Sequence, residues 1–228
     1  MAIRPVFEVG KEKCVRVESY EFKWYPGFAK SQKQKSVQDL HLKYLEKNNN
    51  KKILEISTSS TKELGVKLSA FNLMIKDRMG KEICSVESLF QSCKKFKNGG
   101  PYKDIMNKSS IEAKKDIRLR ESGDLVCFFY KNEEWELEPK TQFYDWIYIN
   151  ALHQNGNLNE EILQYDAFTD IEFNPNKSVN CQAKSAALYV WLSKHNIINN
   201  IIESKENYIR FIKDNYKSKK QIMFDINI

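Results

Sequence analysis

The chain has 228 residues, of which 41% are hydrophobic and 12% aromatic, and it carries a formal net charge of +7. This length fits one large domain, or a domain with an extension, with enough apolar content for a sizeable core. No run approaches the roughly 18–20 apolar residues of a membrane span; the five cysteines, odd in number and without C-x-x-C spacing, argue against a structural zinc site and read as reduced core residues. The basic balance points to a polyanionic partner such as nucleic acid. With only six arginines among the 37 basic residues, a general lysine bias is the other reading.

The opening segment "MAIRPVFEVG" has no apolar leader region, so a cytoplasmic protein is expected. "VRVESYEFKWYPGF" alternates apolar and polar residues before a turn at Pro26–Gly27, which predicts irregular or strand structure. From Ser36 a helix is predicted, with Val37, Leu40, Tyr44 and Leu45 on one face, ending in "EKNNNKK". "ILEIST" reads as a strand, and "GVKLSAFNLMI" as a second strand turning at Asn72. "SVESLFQSCKKF" predicts an amphipathic helix with Ser85 as N-cap and Val86, Leu89, Phe90 and Cys93 as its apolar stripe. Glu87, Gln91 and Lys94 recur at helical spacing on a neighbouring face, and "NGGP" stops the helix.

Ser109 and Glu112 have capping-box spacing and open a predicted helix through Arg120. "DLVCFFY" is a buried strand. Trp135 precedes an aromatic helix from Thr141 to about Gln154, and a short helix follows near Glu160–Tyr165. "DAFTDIEFNPNKSVN" reads as a polar loop. A core helix over Gln182–His195 leads to an amphipathic C-terminal helix. Strands and helices mix without regular βαβ alternation. The expected fold is therefore α+β, a single mostly helical domain with a small mixed sheet. No phosphate-cradling G-x-x-x-x-G-K-[ST] loop is present, which argues against an NTPase.

"LSAFN" (Leu68–Asn72), then "SVESLFQSCKKF", then "SSIEAKKDIRL" (Ser109–Leu119) resemble the core of the NADAR domains. These read S-N-F, then S-V-E-H-A-F-Q-A-x-K, then a helix with A-K and an Arg. Trp135 and "INALHQN" fall where the family has a Trp and a K-F-x-Q-N-like segment. "FKWYPGFAKSQKQKSVQDLH" and "FTDIEFNPNKSVNCQAKSAAL" further resemble the NADAR antitoxins paired with guanine-modifying Dar toxins. The resemblance implies a NADAR fold over residues 1–228, with 1–60 a family-specific extension. It also implies an enzyme that removes the toxin's ADP-ribose from guanine bases in DNA. Three departures stand out. Ser88 replaces the usual His, Ala70 and Phe71 shift the S-N-F pattern, and "NPNKSVNC" replaces a W-G-x-G loop, whose usual ligand contacts are thereby left unassigned.

Cleaving a ribosyl–nitrogen bond develops positive charge on the sugar and negative charge on the departing base. A carboxylate can stabilise the first or activate water, and Glu87 is the first candidate, the alternative being an acid favoured by the helix dipole. Lys94 can hold a phosphate, protonate a leaving group or attack the opened sugar as an amine, and Gln91 can bond a sugar hydroxyl. Asp166, Asp170 and Glu172 crowd one loop, with Asp170 chosen as the second catalytic carboxylate. Among Lys30, Lys33 and Lys35, Lys33 is expected to bind DNA phosphate and Lys35 to be the reserve catalytic amine; a solvated helix start is the bland reading. Ser69 and Asn72 are either binding groups at a strand end or ordinary turn residues. Lys114 and Arg118 form either a diphosphate clamp or a surface pair. Trp135 either stacks on a base or belongs to the core.

The expected function is a DNA ADP-ribosylguanine hydrolase acting as an antitoxin in a toxin–antitoxin or phage-defence system. It requires no metal or organic cofactor. Its partners are ADP-ribosylated DNA, ADP-ribose and the cognate toxin. An N-glycosidase acting on a ribosylated small molecule and a non-catalytic antitoxin that binds toxin or ADP-ribose are the rivals.

Overall fold

In the computed structural model, which describes residues 1–176 and 178–225, the chain opens with an antiparallel hairpin of β1 (Ala2–Val9) and β2 (Val15–Phe22). Tyr20 and Phe22 share one face of β2 and pack with Val37, Leu40 and Tyr44 of α1 (Lys30–Leu45), in a small core that includes Val6 and Ile53. β3 (Ile53–Glu55) follows. The segment expected as a second strand is instead the short helix α2 (Glu63–Lys67), a turn, and β4 (Met74–Lys76). Two local features explain the change. A Cβ on Gly65 would come within 2.0 Å of the Glu55 carbonyl oxygen and 2.4 Å of Ser60 Oγ, so glycine lets α2 lie against the end of β3. The Ser69 carbonyl then accepts N–H bonds from both Asn72 and Leu73, each at 2.8 Å, which turns the chain.

β4 pairs with β5 (Glu82–Ser85), and Ser85 caps α3 (Val86–Ser92) by accepting the Ser88 N–H. The helix expected to run through Lys94 stops at Ser92, and Lys94 opens β6 (Lys94–Phe96). The Cys93 carbonyl is claimed by the Phe129 N–H at 2.8 Å, so sheet pairing takes over where the helix would continue. A 3₁₀ turn (Lys103–Asn107) leads to α4 (Ser110–Lys115), whose Ser109–Glu112 capping box is formed. The single helix expected through Arg120 is split. Asp116 takes extended geometry (φ −56°, ψ 124°) and bonds the Arg118 N–H at 3.1 Å before α5 (Arg118–Glu121).

β7 (Leu125–Tyr130) and β8 (Glu133–Trp135) complete an antiparallel sheet with β6. Then come α6 (Gln142–His153), α7 (Gly156–Ile162), β9 (Ala167–Thr169), α8 (Gln182–Lys194), α9 (Ile198–Glu203) and α10 (Lys205–Asp225). α6 is apolar around most of its circumference and buried along most of its length, as expected for a central helix packed between α3 and α8. Its one buried acid, Asp145, is satisfied by Ser185 Oγ at 2.5 Å, Thr141 Oγ1 at 2.7 Å and Lys184 Nζ at 3.2 Å.

The largest sheet has the order β2-β1-β9-β3, with β9 parallel to β3 and antiparallel to β1. Residues near 168 thus complete a sheet begun within the first 55. The fold is α+β, mostly helical with small mixed sheets, as the sequence predicted. Among the described residues no helix is long and apolar enough to cross a membrane.

Candidate active site

A cleft of about 500 Å³ opens where α3, the 69–71 turn and the segment after β9 converge. Its volume lies in the range of small-molecule and cofactor sites. Glu87, Phe90 and Gln91 reach it from α3, Lys94 from β6, and Lys114 from α4. Asp170 and Phe173 follow β9, while Lys33 enters from the first turn of α1. The cluster draws on residues 33 to 182, so only the tertiary fold assembles it.

Glu87 is 6% exposed, and its backbone N–H is anchored to the Ala70 carbonyl at 2.9 Å. Its Oε1 accepts the Gln91 side-chain amide at 2.9 Å, one turn along the helix. Gln91 Oε1 is buried with no partner among the described residues, leaving an acceptor for a ligand hydroxyl. Lys94 Nζ lies 4.9 Å from the Phe90 ring centroid. Burial lowers the Lys94 amine below its ordinary range; Glu87 pulls it back up and Lys114 presses it further down.

Asp170 is 8% exposed; its carboxylate accepts the Glu172 N–H and the Gln182 amide, each at 3.0 Å. Burial first, and then the neighbouring Glu55 carboxylate, push it up to about 8. Tyr144 also lines the cleft. Burial raises its phenol well above the usual value, and the charges of Glu87 and Asp170 add to that. Lys33 is held by Glu172 at 2.5 Å and stays at the rim. Among the described residues no group of three or more His, Cys, Asp or Glu side chains is placed to hold a metal ion.

The structure thus brings Glu87, Gln91, Lys94, Asp170, Ser69, Lys33 and Lys114 into one cleft. The remaining candidates lie elsewhere. Trp135 is 2% exposed and packs among Phe143, Trp146 and Tyr208, in the core on another side of α3. Arg118 is engaged by Asp104 and Asp116, both at 2.6–2.9 Å from its Nη2, and the break at Asp116 takes it off the Lys114 helix. Asn72 donates its amide to the Val66 carbonyl and Ser69 Oγ, bracing the turn below the cleft. Lys35 is exposed on α1, outside the lining.

The sequence reading missed Tyr144, Phe173, Ser178, Asn180 and Gln182 as cleft residues. Gln182 carries the strongest geometry of these. Its Oε1 accepts the Ala70 N–H at 2.6 Å while its Nε2 reaches the Ile56 carbonyl at 2.7 Å as well as Asp170. A glutamine opening a core helix carries no local signal of such a role. Ser88, in place of the family's His, turns away from the cleft to bond the Lys108 carbonyl at 3.0 Å and Ser85 Oγ at 2.9 Å, tying α3 to the start of α4. Ser178 and Asn180, within the segment that replaces the W-G-x-G loop, line the cleft instead.

The fold and site define a mixed α+β protein whose open cleft is lined by two buried acids and a desolvated amine. The chain belongs to the NADAR-DarT1 family, the DarT1-associated NADAR antitoxins, which it matches over residues 2–222. Its role is that of an antitoxin associated with a DarT1 toxin. No curated relative matches the chain.

Proposed function

We propose that this antitoxin is a hydrolase that removes ADP-ribose from guanine in DNA, reversing the mark left by its toxin. The observation that carries this reading is the convergence of Glu87, Lys94 and Asp170 on one cleft with aromatic and cationic walls. Phe71 and Phe173 offer faces for a base, and Lys33 and Lys114 offer positive charge for a diphosphate.

The reaction adds water across the bond from the ribose anomeric carbon to a guanine nitrogen. Asp170, pushed up to about 8, carries a proton at neutral pH that it can give to the departing base. Glu87 stabilises the developing oxocarbenium ion or takes the proton of the attacking water. Gln91 fixes the Glu87 carboxylate and offers its own free carbonyl to a sugar hydroxyl. In the alternative covalent route the opened sugar is joined to guanine as an imine. The Lys94 amine, lowered by burial, adds to its C1, the guanine nitrogen leaves with the proton given by Asp170, and water then hydrolyses the Lys94 imine to free ADP-ribose and the amine.

The test is turnover. The full chain is incubated with a DNA oligonucleotide carrying ADP-ribosylated guanine, and free ADP-ribose and restored guanine are quantified. Release of both in equal amounts supports the reading. Retention of the intact mark, with ADP-ribose bound or the toxin captured, identifies a binding antitoxin. Release from a ribosylated small molecule but never from DNA identifies the other glycosidase reading.

A further inference from the structure

Outside the cleft lining, next to Asp170 in the fold, lies another buried acid that takes no part in the proposed reaction. Glu55, on β3, is 2% exposed. Its Oε2 accepts the Thr169 hydroxyl at 2.6 Å and its Oε1 accepts the Ile171 N–H at 2.8 Å. These two residues flank Asp170 on either side, so one buried carboxylate grips both neighbours of the residue that faces the cleft. The parallel pairing of β3 with β9 sets Glu55 opposite Thr169, and the Ile56 N–H bonds the Thr169 carbonyl at 2.8 Å.

The network extends one residue further. His41 Nε2, on α1, lies 2.8 Å from Thr169 Oγ1. The Thr169 hydroxyl has one proton and gives it to Glu55, so the imidazole must supply its own Nε2–H to that oxygen. Burial lowers His41 to about 4, with Lys62 adding to the effect, so the ring stays neutral in its donor role. His41, Thr169 and Glu55 therefore form a chain of donors that ends on a carboxylate.

We propose that Glu55, anchored through Thr169 to His41, is a positioning residue that fixes both the aim and the protonation state of Asp170. Two carboxyl groups enclosed this way do not both ionise readily. Burial raises both acids. Donors from Ile171, Ser57 and Thr169 draw Glu55 back down, against those from Glu172 and Gln182 on Asp170, so Glu55, with the larger donor set, holds the negative charge and Asp170 keeps the proton. The other groups bearing on Asp170 are Glu172 from its own segment, Arg4 from β1, Tyr144 and Tyr148 from α6, and Cys181 at the start of α8. Glu55 also feels Glu172. Among the neighbouring charges, that of Glu55 raises Asp170 most, second only to burial.

The inference rests on the reading of Asp170 as the acid of the cleft, and its test is independent of turnover. The full chain is prepared with isotope-labelled aspartate carboxyls, and the Asp170 signal is assigned by its loss in Asp170→Asn. Its titration is followed by NMR from about pH 4 to about pH 10 in the parent and in Glu55→Gln. The Asp170 midpoint is expected above the ordinary aspartate range in the parent and lower by about one unit or more in the variant. The alkaline limb of kcat/KM for ADP-ribose release should move to lower pH by the same amount, a change that a purely structural role would not produce. If Glu55→Gln fails to fold, Thr169→Val serves instead. It takes a donor from Glu55, shifts the shared proton toward Glu55, and should also lower the Asp170 midpoint. An Asp170 midpoint in the ordinary aspartate range in the parent, or one unmoved by either folded variant, overturns the proposal. If the midpoint shifts as expected but the parent releases no ADP-ribose, the carboxyl coupling stands and the hydrolase reading falls.

Discussion

Gln91 donates its side-chain amide to Glu87 Oε1 at 2.9 Å, and both side chains are buried at the wall of the cleft. A solvated first-turn acid would face water and need no such partner. Replacing Glu87 by Gln preserves shape and removes charge. Turnover of ADP-ribosylated guanine should fall by roughly 10²–10⁴-fold with the fold retained, the loss expected for one acid–base group. Circular dichroism checks the fold and ADP-ribose release checks the rate; a variant as fast as the parent would make Glu87 a helix-end acid.

Lys94 is the cleft amine whose surroundings lower its proton affinity. Only the neutral amine attacks an opened sugar, so imine formation should increase as pH rises through its depressed pKa. Borohydride added during turnover should leave a reduced adduct on Lys94, located by peptide mass, with yield growing toward alkaline pH. An adduct on Lys33 or Lys35 would move the nucleophile to α1. Turnover without any adduct would leave direct attack by water.

Asp170 also makes a prediction about stability. Its folded pKa is raised from the ordinary 3.8 to about 8, so the folded chain holds a proton that the unfolded chain has released. That contribution is fully present below about 3.8 and is lost as pH rises through about 8. Asp170→Asn removes the titration. Relative to the parent, the variant should gain stability across that window, by at most about 1.4 kcal/mol per pH unit, while losing activity. Denaturant unfolding of both proteins at several pH values measures the difference.

Lys30 and Lys35 are exposed at the start of α1, whereas Lys33 is tied to Glu172. If they follow the DNA backbone, affinity for modified DNA should fall with salt at a log–log slope of about −0.7 to −0.9 per neutralised phosphate. Lys30→Gln and Lys35→Gln together should flatten that slope and leave hydrolysis of a modified free nucleoside almost unchanged. An unaltered slope would assign the lysines to compositional bias.

Gly65 tests how the cleft floor is built. The close approach of a Cβ to the Glu55 carbonyl oxygen and Ser60 Oγ leaves no room for alanine. Gly65→Ala should cost about 1–3 kcal/mol in unfolding free energy, the usual cost of overpacking. An unchanged melting temperature would show that α2 can move away from β3 freely.

The sequence by itself determined the elements whose signals are local. Ser109 and Glu112 close a capping box three residues apart, Ser85 caps α3, and the 3.6-residue period puts Glu87 and Gln91 on one face. It also determined the α+β class, because strand and helix patterns alternate irregularly along the chain. What lay beyond it were contacts set by distant partners. Lys94 joins Glu87 not through a shared helix but through a strand fixed by β7, because Phe129 captures the Cys93 carbonyl. Arg118 is drawn from its expected ligand role by Asp104 and Asp116, and Trp135 by the aromatic packing around α6. Glu55 sits inside an apolar strand and finds its meaning only in Thr169 and Ile171, more than a hundred residues away. A buried charge is tolerated only where other groups satisfy it, and those groups are brought together by the tertiary fold.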